Sequence, residues 1–93
     1  MGVANSVEKK IKDGAVIVDV RTVDEFEDGH YPKAINIPVN ELPKRAAEIG
    51  PKDKPVLLYC ASGSRSAMGA MLLKTMGFSD VTNAGGLDDL PEL

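Results

Sequence analysis

The sequence predicts an α/β fold, a small parallel β-sheet flanked by helices on both faces. Apolar runs of strand length alternate along the chain with segments whose apolar residues recur at helical spacing, and the connections between them are short. That alternation is typical of a parallel sheet with right-handed crossovers. The 93 residues suffice for one core and no second lobe, so we expect a single domain over residues 1–93.

Composition and charge narrow the possible functions. Apolar residues make up 43% of the chain and charged residues 27%, a globular balance. The net charge is −3, and no Lys or Arg follows Lys74, so nucleic acid is not an expected partner. No apolar run approaches the roughly 18 residues of a membrane span, and no signal-type segment opens the chain. We therefore expect a cytoplasmic protein that does not bind membranes.

The first half of the chain predicts a helix, a strand and a second helix. Asn5 is a plausible N-cap of the first helix and Gly14 its stop. Residues 15–20 form a continuous apolar run rich in β-branched residues, which is typical of a strand covered on both faces. Residues 22–25 form a capping box, so a short helix should begin there and carry Phe26 inward.

The middle of the chain predicts two more strands around a third helix. Residues 34–38 and 56–59 have strand character. Asn40 can cap the helix between them, which the Gly50-Pro51 pair ends. Three apolar residues fall on one face of this helix: Leu42, Ala46 and Ile49.

The last third predicts a buried helix and a short strand. Apolar residues surround much of the segment 67–76, so we expect it to pack deeply, with its methionines in the core: Met68, Met71 and Met76. Gly69 would allow close approach to the strands, and Gly77 is the expected left-handed cap. Residues 79–83 read as a strand, and residues 87–93 can form at most about two helical turns.

A lone cysteine ends one of the predicted strands. Cys60 is the first residue of a Ser/Gly loop that Arg65 closes as the sixth, and a helical pattern then begins. Loop N–H groups and a helix N-terminus converge at such a point and lower the pKa of a thiol. Ligands of parallel sheets bind beyond the carboxyl ends of the strands, where Cys60 is placed. The site can hold a sulfur anion or an anionic group bonded to sulfur.

One cysteine and one histidine cannot form an internal disulfide or a zinc cage. The sequence therefore predicts no metal site, and we expect no cofactor.

The loop resembles the active-site loop of the rhodanese, or thiosulfate sulfurtransferase, family, in its single-domain, stand-alone form. Three further stretches agree in order and spacing, and the resemblance covers about residues 15–87. They are Asp19-Val20-Arg21 with Glu25-Phe26 and Gly29-His30, then residues 34–38, then Ala84-Gly85-Gly86. Lys33 departs from the pattern, since relatives often have glycine there.

The resemblance implies transfer of a sulfane sulfur through a persulfide on Cys60, from a small-molecule donor such as thiosulfate or a persulfide. It implies that the loop binds the substrate through Ala61, Ser62, Gly63, Ser64, Arg65 and Ser66. Arg65 would pair with the anionic donor. Relatives with a seven-residue loop are phosphatases or arsenate reductases, so six residues favour sulfur. Because the chain has no second cysteine, the acceptor must be external, a small thiol or a partner protein's cysteine, at an open site.

Other interpretations stay open at this point. The domain could be a non-catalytic binding or regulatory module, a cysteine phosphatase or arsenate reductase, or a thiol redox sensor. Cys60 could be a buried structural cysteine, and Arg65 could pair with an acid. We expect Asp19 and Arg21 to be a structural pair bracing a strand end, and His30 to be a hydrogen-bonding loop residue.

Overall fold

A computed structural model describes residues 3–92 and shows one parallel sheet. Its strands are β1 (Val16–Asp19), β2 (Ile35–Asn36), β3 (Val56–Cys60) and β4 (Val81–Gly86), in the order β2-β1-β3-β4. All three neighbouring pairs are parallel. The predicted α/β architecture is confirmed, with β3 in the interior of the sheet and β4 at an edge.

The two faces of the sheet are covered by different helices. The helices are α1 (Val3–Lys12), α2 (Val23–Glu27), α3 (Leu42–Arg45) and α4 (Ser64–Thr75). Alternate residues of a strand point to opposite faces. Leu57 and Tyr59 of β3 accordingly pack with Val7 of α1, whereas Leu58 and Cys60 pack on the other side. That second cluster contains the buried side chains of α3 and α4, so Cys60 lies on the face that α4 covers.

Two predicted helix caps are wrong. Helix α1 begins at Val3, so Asn5 lies within it. Asn40 lies inside a 3-10 turn, Val39–Glu41, that precedes α3. This turn begins early because the Val39 N–H already bonds the Val20 carbonyl and Pro38 supplies the N-cap position. The predicted buried face is nevertheless present, since its three residues are at most 5% exposed: Leu42, Ala46 and Ile49.

Helix α2 begins at the predicted capping box but does not carry Phe26 into the core. Thr22 Oγ1 accepts the Glu25 N–H, and Glu25 in turn accepts the Thr22 N–H. No residue of the helix is buried, and the half-buried Phe26 ring stacks on the exposed His30 ring, with centroids 3.7 Å apart. His30 Nδ1 lies 3.0 Å from the Phe26 carbonyl oxygen, the hydrogen-bonding role expected for this histidine.

Helix α4 is buried along one face only. A Cβ at Gly69 would lie 3.0 Å from Leu58 Cδ2 of β3, which confirms the predicted close approach to the strands, and 2.9 Å from Leu42 Cδ1 of α3. Met68 and Met71 are 61% and 72% exposed, so their predicted core positions are wrong. Because the helix lies so close to the sheet, its buried face has room mainly for small side chains and for few large ones. Met76 is half-buried and packs against the core, and Gly77 has the expected left-handed φ of 101°.

The chain ends differ from expectation in extent. Strand β4 runs to Gly86, three residues beyond the predicted end, and a 3-10 turn covers Leu87–Asp89. Leu93, the last residue of the predicted helical segment, lies outside the described residues. Among the helices of residues 3–92, none has both the length and the apolar character that a bilayer crossing demands.

Candidate active site

The site forms where β3 meets α4. Cys60 is the last residue of β3, and the chain turns through residues 61–63 before α4 begins at Ser64, earlier than predicted. The turn needs a glycine, since Gly63 has φ +99° and a Cβ there would lie 3.4 Å from Gly85 Cα. It curls the backbone over the thiol, so that the Gly63 N–H donates to Cys60 Sγ at 3.0 Å. Arg65 and Ser66 are thereby placed in the first turn of α4.

Hydrogen bonds outweigh burial in setting the ionisation of Cys60. Burial by itself raises the pKa of the thiol, because a charge is poorly solvated in the interior. The Ser66 hydroxyl, 3.4 Å from Sγ, and the N–H groups of Ser66, Ser62 and Gly63 lower it further than burial raises it. The net effect lowers the pKa from 9.0 to about 7. The thiolate is therefore well populated at neutral pH, as the loop pattern predicted.

The thiol is covered, and the prediction of an open site is wrong for this conformation. Cys60 has a relative exposure of 0%, although three residues of the loop are exposed: Ala61, Ser62 and Ser64. The loop is part of this cover, because the Gly63 N–H donates to Sγ at 3.0 Å, and we call the loop the covering layer. Because Cys60 has no exposed surface, a donor or acceptor cannot contact Sγ unless this layer moves.

Arg65 makes an ion pair across the site rather than pointing freely into it. Its Nη1 and Nη2 donate to Glu25 Oε1 and Oε2 at 2.7 and 3.0 Å, and both side chains are 35% exposed. Hydrogen bonds from Arg65, and then the Thr22 N–H, lower the pKa of Glu25 to about 2. The pair ties α2 to the start of α4. The pairing of Arg65 with an anionic donor stays a prediction.

Asp19 and Arg21 lie together at the carboxyl end of β1. Asp19 is fully buried, and its carboxylate accepts from Arg21 Nη2 at 2.8 Å and from the Tyr59 hydroxyl at 2.7 Å. Arg21 Nη2 also donates to the Gly29 carbonyl at 2.7 Å, and hydrogen bonding to Asp19 raises the pKa of Arg21. The structure thus places both in a buried ion pair that links the carboxyl end of β1 to Tyr59 of β3 and to the Gly29 carbonyl.

Two polar contacts of the site escaped the sequence reasoning. The sequence places Glu25 in a capping box and in one of the stretches that resemble the family, yet neither pattern indicates that it binds Arg65. Asn83 of β4 holds the loop, since its Nδ2 donates to the Gly63 carbonyl at 3.1 Å and its Oδ1 accepts from Ser66 Oγ at 2.6 Å. One signal existed for Asn83: carboxyl ends of neighbouring parallel strands share an edge of the sheet, and Asn83 just precedes the glycine pair.

Within residues 3–92, no group of three or more potential metal-ligating carboxylate, imidazole or thiol side chains comes together.

The fold is a parallel α/β sheet, and its candidate site is an ionisable cysteine under a curled loop. These two features place the protein in the class of cysteine-dependent α/β domains. The sequence matches the rhodanese-like domain over residues 3–90, and the chain belongs to that family. The thiosulfate sulfurtransferase PspE of Escherichia coli is 39% identical over 74 residues, covering 78% of this chain and 71% of PspE. A solved rhodanese with anions from E. coli has a TM-score of 0.79 at 35% identity, with 86% and 98% of the two chains covered.

A further relative is a larger protein. The putative sulfur carrier protein YrkF of Bacillus subtilis is 42% identical over 67 residues, which span 72% of this chain but 36% of that protein. Together these matches confirm the predicted rhodanese-like sulfurtransferase family for this domain.

Proposed function

We propose that this domain, residues 1–93, is a sulfurtransferase that carries a sulfane sulfur as a persulfide on Cys60. The observation that carries the proposal is the set of donors around Sγ, with the Gly63 N–H at 3.0 Å and a pKa of the thiol near 7. A purely structural cysteine in an apolar core has no such donors and a raised pKa. Here backbone N–H groups donate hydrogen bonds to the Cys60 sulfur and favour its ionised form.

The reaction follows as two displacements. The Cys60 thiolate attacks the outer sulfur of a donor such as thiosulfate, a new S–S bond forms, and sulfite leaves with the electron pair of the broken S–S bond. An acceptor thiolate, or cyanide in an assay, then attacks the outer sulfur of the persulfide. The Cys60 thiolate is the leaving group of that second step and is regenerated. No base is needed to remove a proton from Cys60, because the thiolate is already well populated at neutral pH.

The loop performs the binding work in this proposal. Its N–H groups, from Ala61 to Ser66, would follow the charge from Sγ to the outer sulfur when the covering layer opens. Arg65 would add positive charge next to the donor while Glu25 holds the guanidinium in place, since a bidentate pair fixes its plane.

The lone cysteine determines where the sulfur goes. No second thiol in the chain can resolve the persulfide, so the acceptor is a small external thiol or a partner protein's cysteine. Free thiols persist in a reducing compartment, and on this ground we place the protein in the cytoplasm.

The alternatives fit less well. A binding module has no use for a thiol with a pKa near 7, and the relatives named as thiosulfate sulfurtransferase and sulfurtransferase favour turnover. The loop has six residues, and its resemblance to the sulfurtransferase loop, together with the relatives named as sulfurtransferases, favours sulfur over phosphate or arsenate.

The test is the mass of the intact protein after treatment with thiosulfate and removal of the excess. We expect a gain of one sulfur atom on the unaltered chain and none on Cys60→Ser, with thiocyanate released when cyanide is added. An unchanged mass, or a gain that survives Cys60→Ser, would contradict the proposal. Hydrolysis of p-nitrophenyl phosphate that depends on Cys60 would favour the phosphatase alternative instead.

A further inference from the structure

The Ser66 hydroxyl has one hydrogen and more than one acceptor within reach. The residue is completely buried, and its Oγ lies 2.6 Å from Asn83 Oδ1, 3.1 Å from the Gly63 carbonyl, 3.4 Å from Cys60 Sγ and 3.5 Å from the Gly85 carbonyl. A serine hydroxyl donates to one acceptor at a time. The hydroxyl hydrogen can therefore bond to only one of these acceptors at a time, and the Cys60 sulfur is one of them.

The surrounding hydrogen bonds reduce that choice to two acceptors. The Gly63 carbonyl already accepts the Ala67 N–H at 2.9 Å and Asn83 Nδ2 at 3.1 Å, which uses both of its lone pairs. The Gly85 carbonyl lies at the outer limit of hydrogen-bonding distance. Asn83 Oδ1 accepts the Gly85 N–H at 3.0 Å and keeps one lone pair for Ser66. The hydroxyl can therefore serve either Asn83 Oδ1 or Cys60 Sγ.

We propose that Asn83 is a positioning residue for Cys60: it competes with the sulfur for the single Ser66 hydrogen, so the hydroxyl turns toward Sγ when Sγ carries charge and back to Asn83 when the charge leaves. A thiolate attracts the hydrogen through a charge-assisted bond, which is stronger than a neutral one. In the persulfide the charge lies on the outer sulfur, and Asn83 Oδ1 then satisfies a hydroxyl that would otherwise be buried without a partner. The step is a rotation about the Cβ–Oγ bond, and no covalent bond or proton changes owner.

The persulfide half of this inference rests on the proposed function, whereas the thiolate half does not. Removing Asn83 deletes the acceptor at 2.6 Å from Ser66 Oγ and frees one lone pair of the Gly63 carbonyl at 3.1 Å. A weaker neutral competitor thus replaces a stronger one, so the bond from Ser66 to the thiolate should strengthen. In Asn83→Ala we therefore expect the midpoint of Cys60 ionisation to fall by about half a pH unit, the size of one exchanged neutral hydrogen bond. In Asn83→Asp a carboxylate holds the hydroxyl more strongly and repels the thiolate, so the midpoint should rise.

A role for Asn83 as a mere prop of the loop predicts the opposite sign. If the amide only held the Gly63 carbonyl, its removal would loosen the Gly63 N–H over Sγ, and the midpoint would rise in Asn83→Ala. The background Ser66→Ala separates the two ideas further. Without the hydroxyl there is nothing to compete for, so adding Asn83→Ala to Ser66→Ala should leave the midpoint where Ser66→Ala alone puts it.

The experiment is a titration of the ultraviolet thiolate absorbance in the unaltered chain, the two Asn83 variants, Ser66→Ala and the double variant. Cys60→Ser provides the blank, and Asn40→Ala, an exposed asparagine in the turn before α3, provides the matched control. Circular dichroism melting checks that each variant is folded. The charged groups on the elements around the loop are identical in all of them: Arg65, Glu25, Asp89, Asp19 and Arg21.

A rise in Asn83→Ala, or an equal shift with and without Ser66, would overturn the inference. If Asn83→Ala does not fold, Asn83→Asp, which has nearly the same shape, still decides: an unchanged or lowered midpoint overturns it. A second measurement is the ratio of persulfide to thiolate at a fixed ratio of thiosulfate to sulfite, which should fall about threefold in Asn83→Ala. Absence of any persulfide in the unaltered chain would reject the proposed function but leave the titration decisive.

Discussion

Replacing Glu25 by Gln tests the ion pair that ties α2 to the cysteine loop. The carboxylate accepts two hydrogen bonds from Arg65, at 2.7 and 3.0 Å, and one from the Thr22 N–H. Glutamine keeps an amide oxygen for Thr22 but loses the charge and one acceptor for Arg65. We therefore expect the helix cap to survive and the link between α2 and α4 to weaken.

The pKa of Glu25 indicates the size of the effect. Hydrogen bonds from Arg65, and then from Thr22, lower this pKa from 4.5 to about 2, a shift equivalent to roughly 3 kcal/mol. Both side chains keep 35% exposure, so solvent screens the pair and reduces the expected contribution to about 1 kcal/mol. Since the folded pKa lies below the unfolded one, this stability is present above pH 4.5 and is lost as the pH falls toward about 2.

Urea unfolding at neutral pH and at a series of acidic pH values measures this prediction. The free energy of unfolding of Glu25→Gln should fall below that of the unaltered chain by about 1 kcal/mol at neutral pH. The difference should shrink as Glu25 becomes protonated in the folded state. The matched control is Glu48→Gln, which removes one exposed partner of Arg45 while Glu41 remains bound to it. An equal loss in both variants, or a difference that persists in acid, would refute the reasoning.

Three further predictions concern the thiol, the buried network and one strained turn. The alkylation rate of Cys60 should rise with pH through a midpoint near 7. The loop must move before the reagent reaches Sγ, but the midpoint still reports the pKa of the covered state, because nearly all molecules are in that state. A midpoint near 9.0 would contradict the prediction. Tyr59→Phe should cost about 2 kcal/mol in urea unfolding, since it removes the hydroxyl that bonds buried Asp19; no loss would show that the bond contributes nothing. Lys33→Gly should stabilise by about 0.5 kcal/mol, because Lys33 has φ +69°, and a lower melting temperature would contradict this.

Elements with a strong local cause were predictable from the sequence. The capping box at Thr22 forms α2 because two hydrogen bonds between neighbours suffice to start a helix. The apolar run that ends at Cys60 forms an interior strand because all of its side chains are buried there, away from solvent. Gly77 takes the left-handed conformation that stops α4. In each case the interactions that decide the structure lie within a few residues of one another.

Predictions failed where a distant part of the chain decided the outcome. Met68 and Met71 are apolar residues of the kind found in cores. Helix α4 nevertheless approaches the sheet through Gly69, so both methionine side chains point to solvent. Asn40 is a residue type that often caps helices. The hydrogen bond from the Val39 N–H to the Val20 carbonyl nevertheless starts the 3-10 turn one residue earlier. Neither contact can be deduced from helical periodicity, because both depend on how the elements pack.

The sequence by itself determined the candidate site of this protein: a lone cysteine at a strand end that opens a six-residue loop, with a glycine where the backbone must turn. Local rules suffice there, since spacing and residue type dictate what a short loop can surround. Folding decided the rest, including the cover over Sγ, the capture of Arg65 by Glu25, and the placement of Asn83 against Ser66. The last two contacts join residues that are 40 and 17 positions apart. Parallel strands bring such residues to one edge of the sheet, and no local pattern encodes which of them will meet.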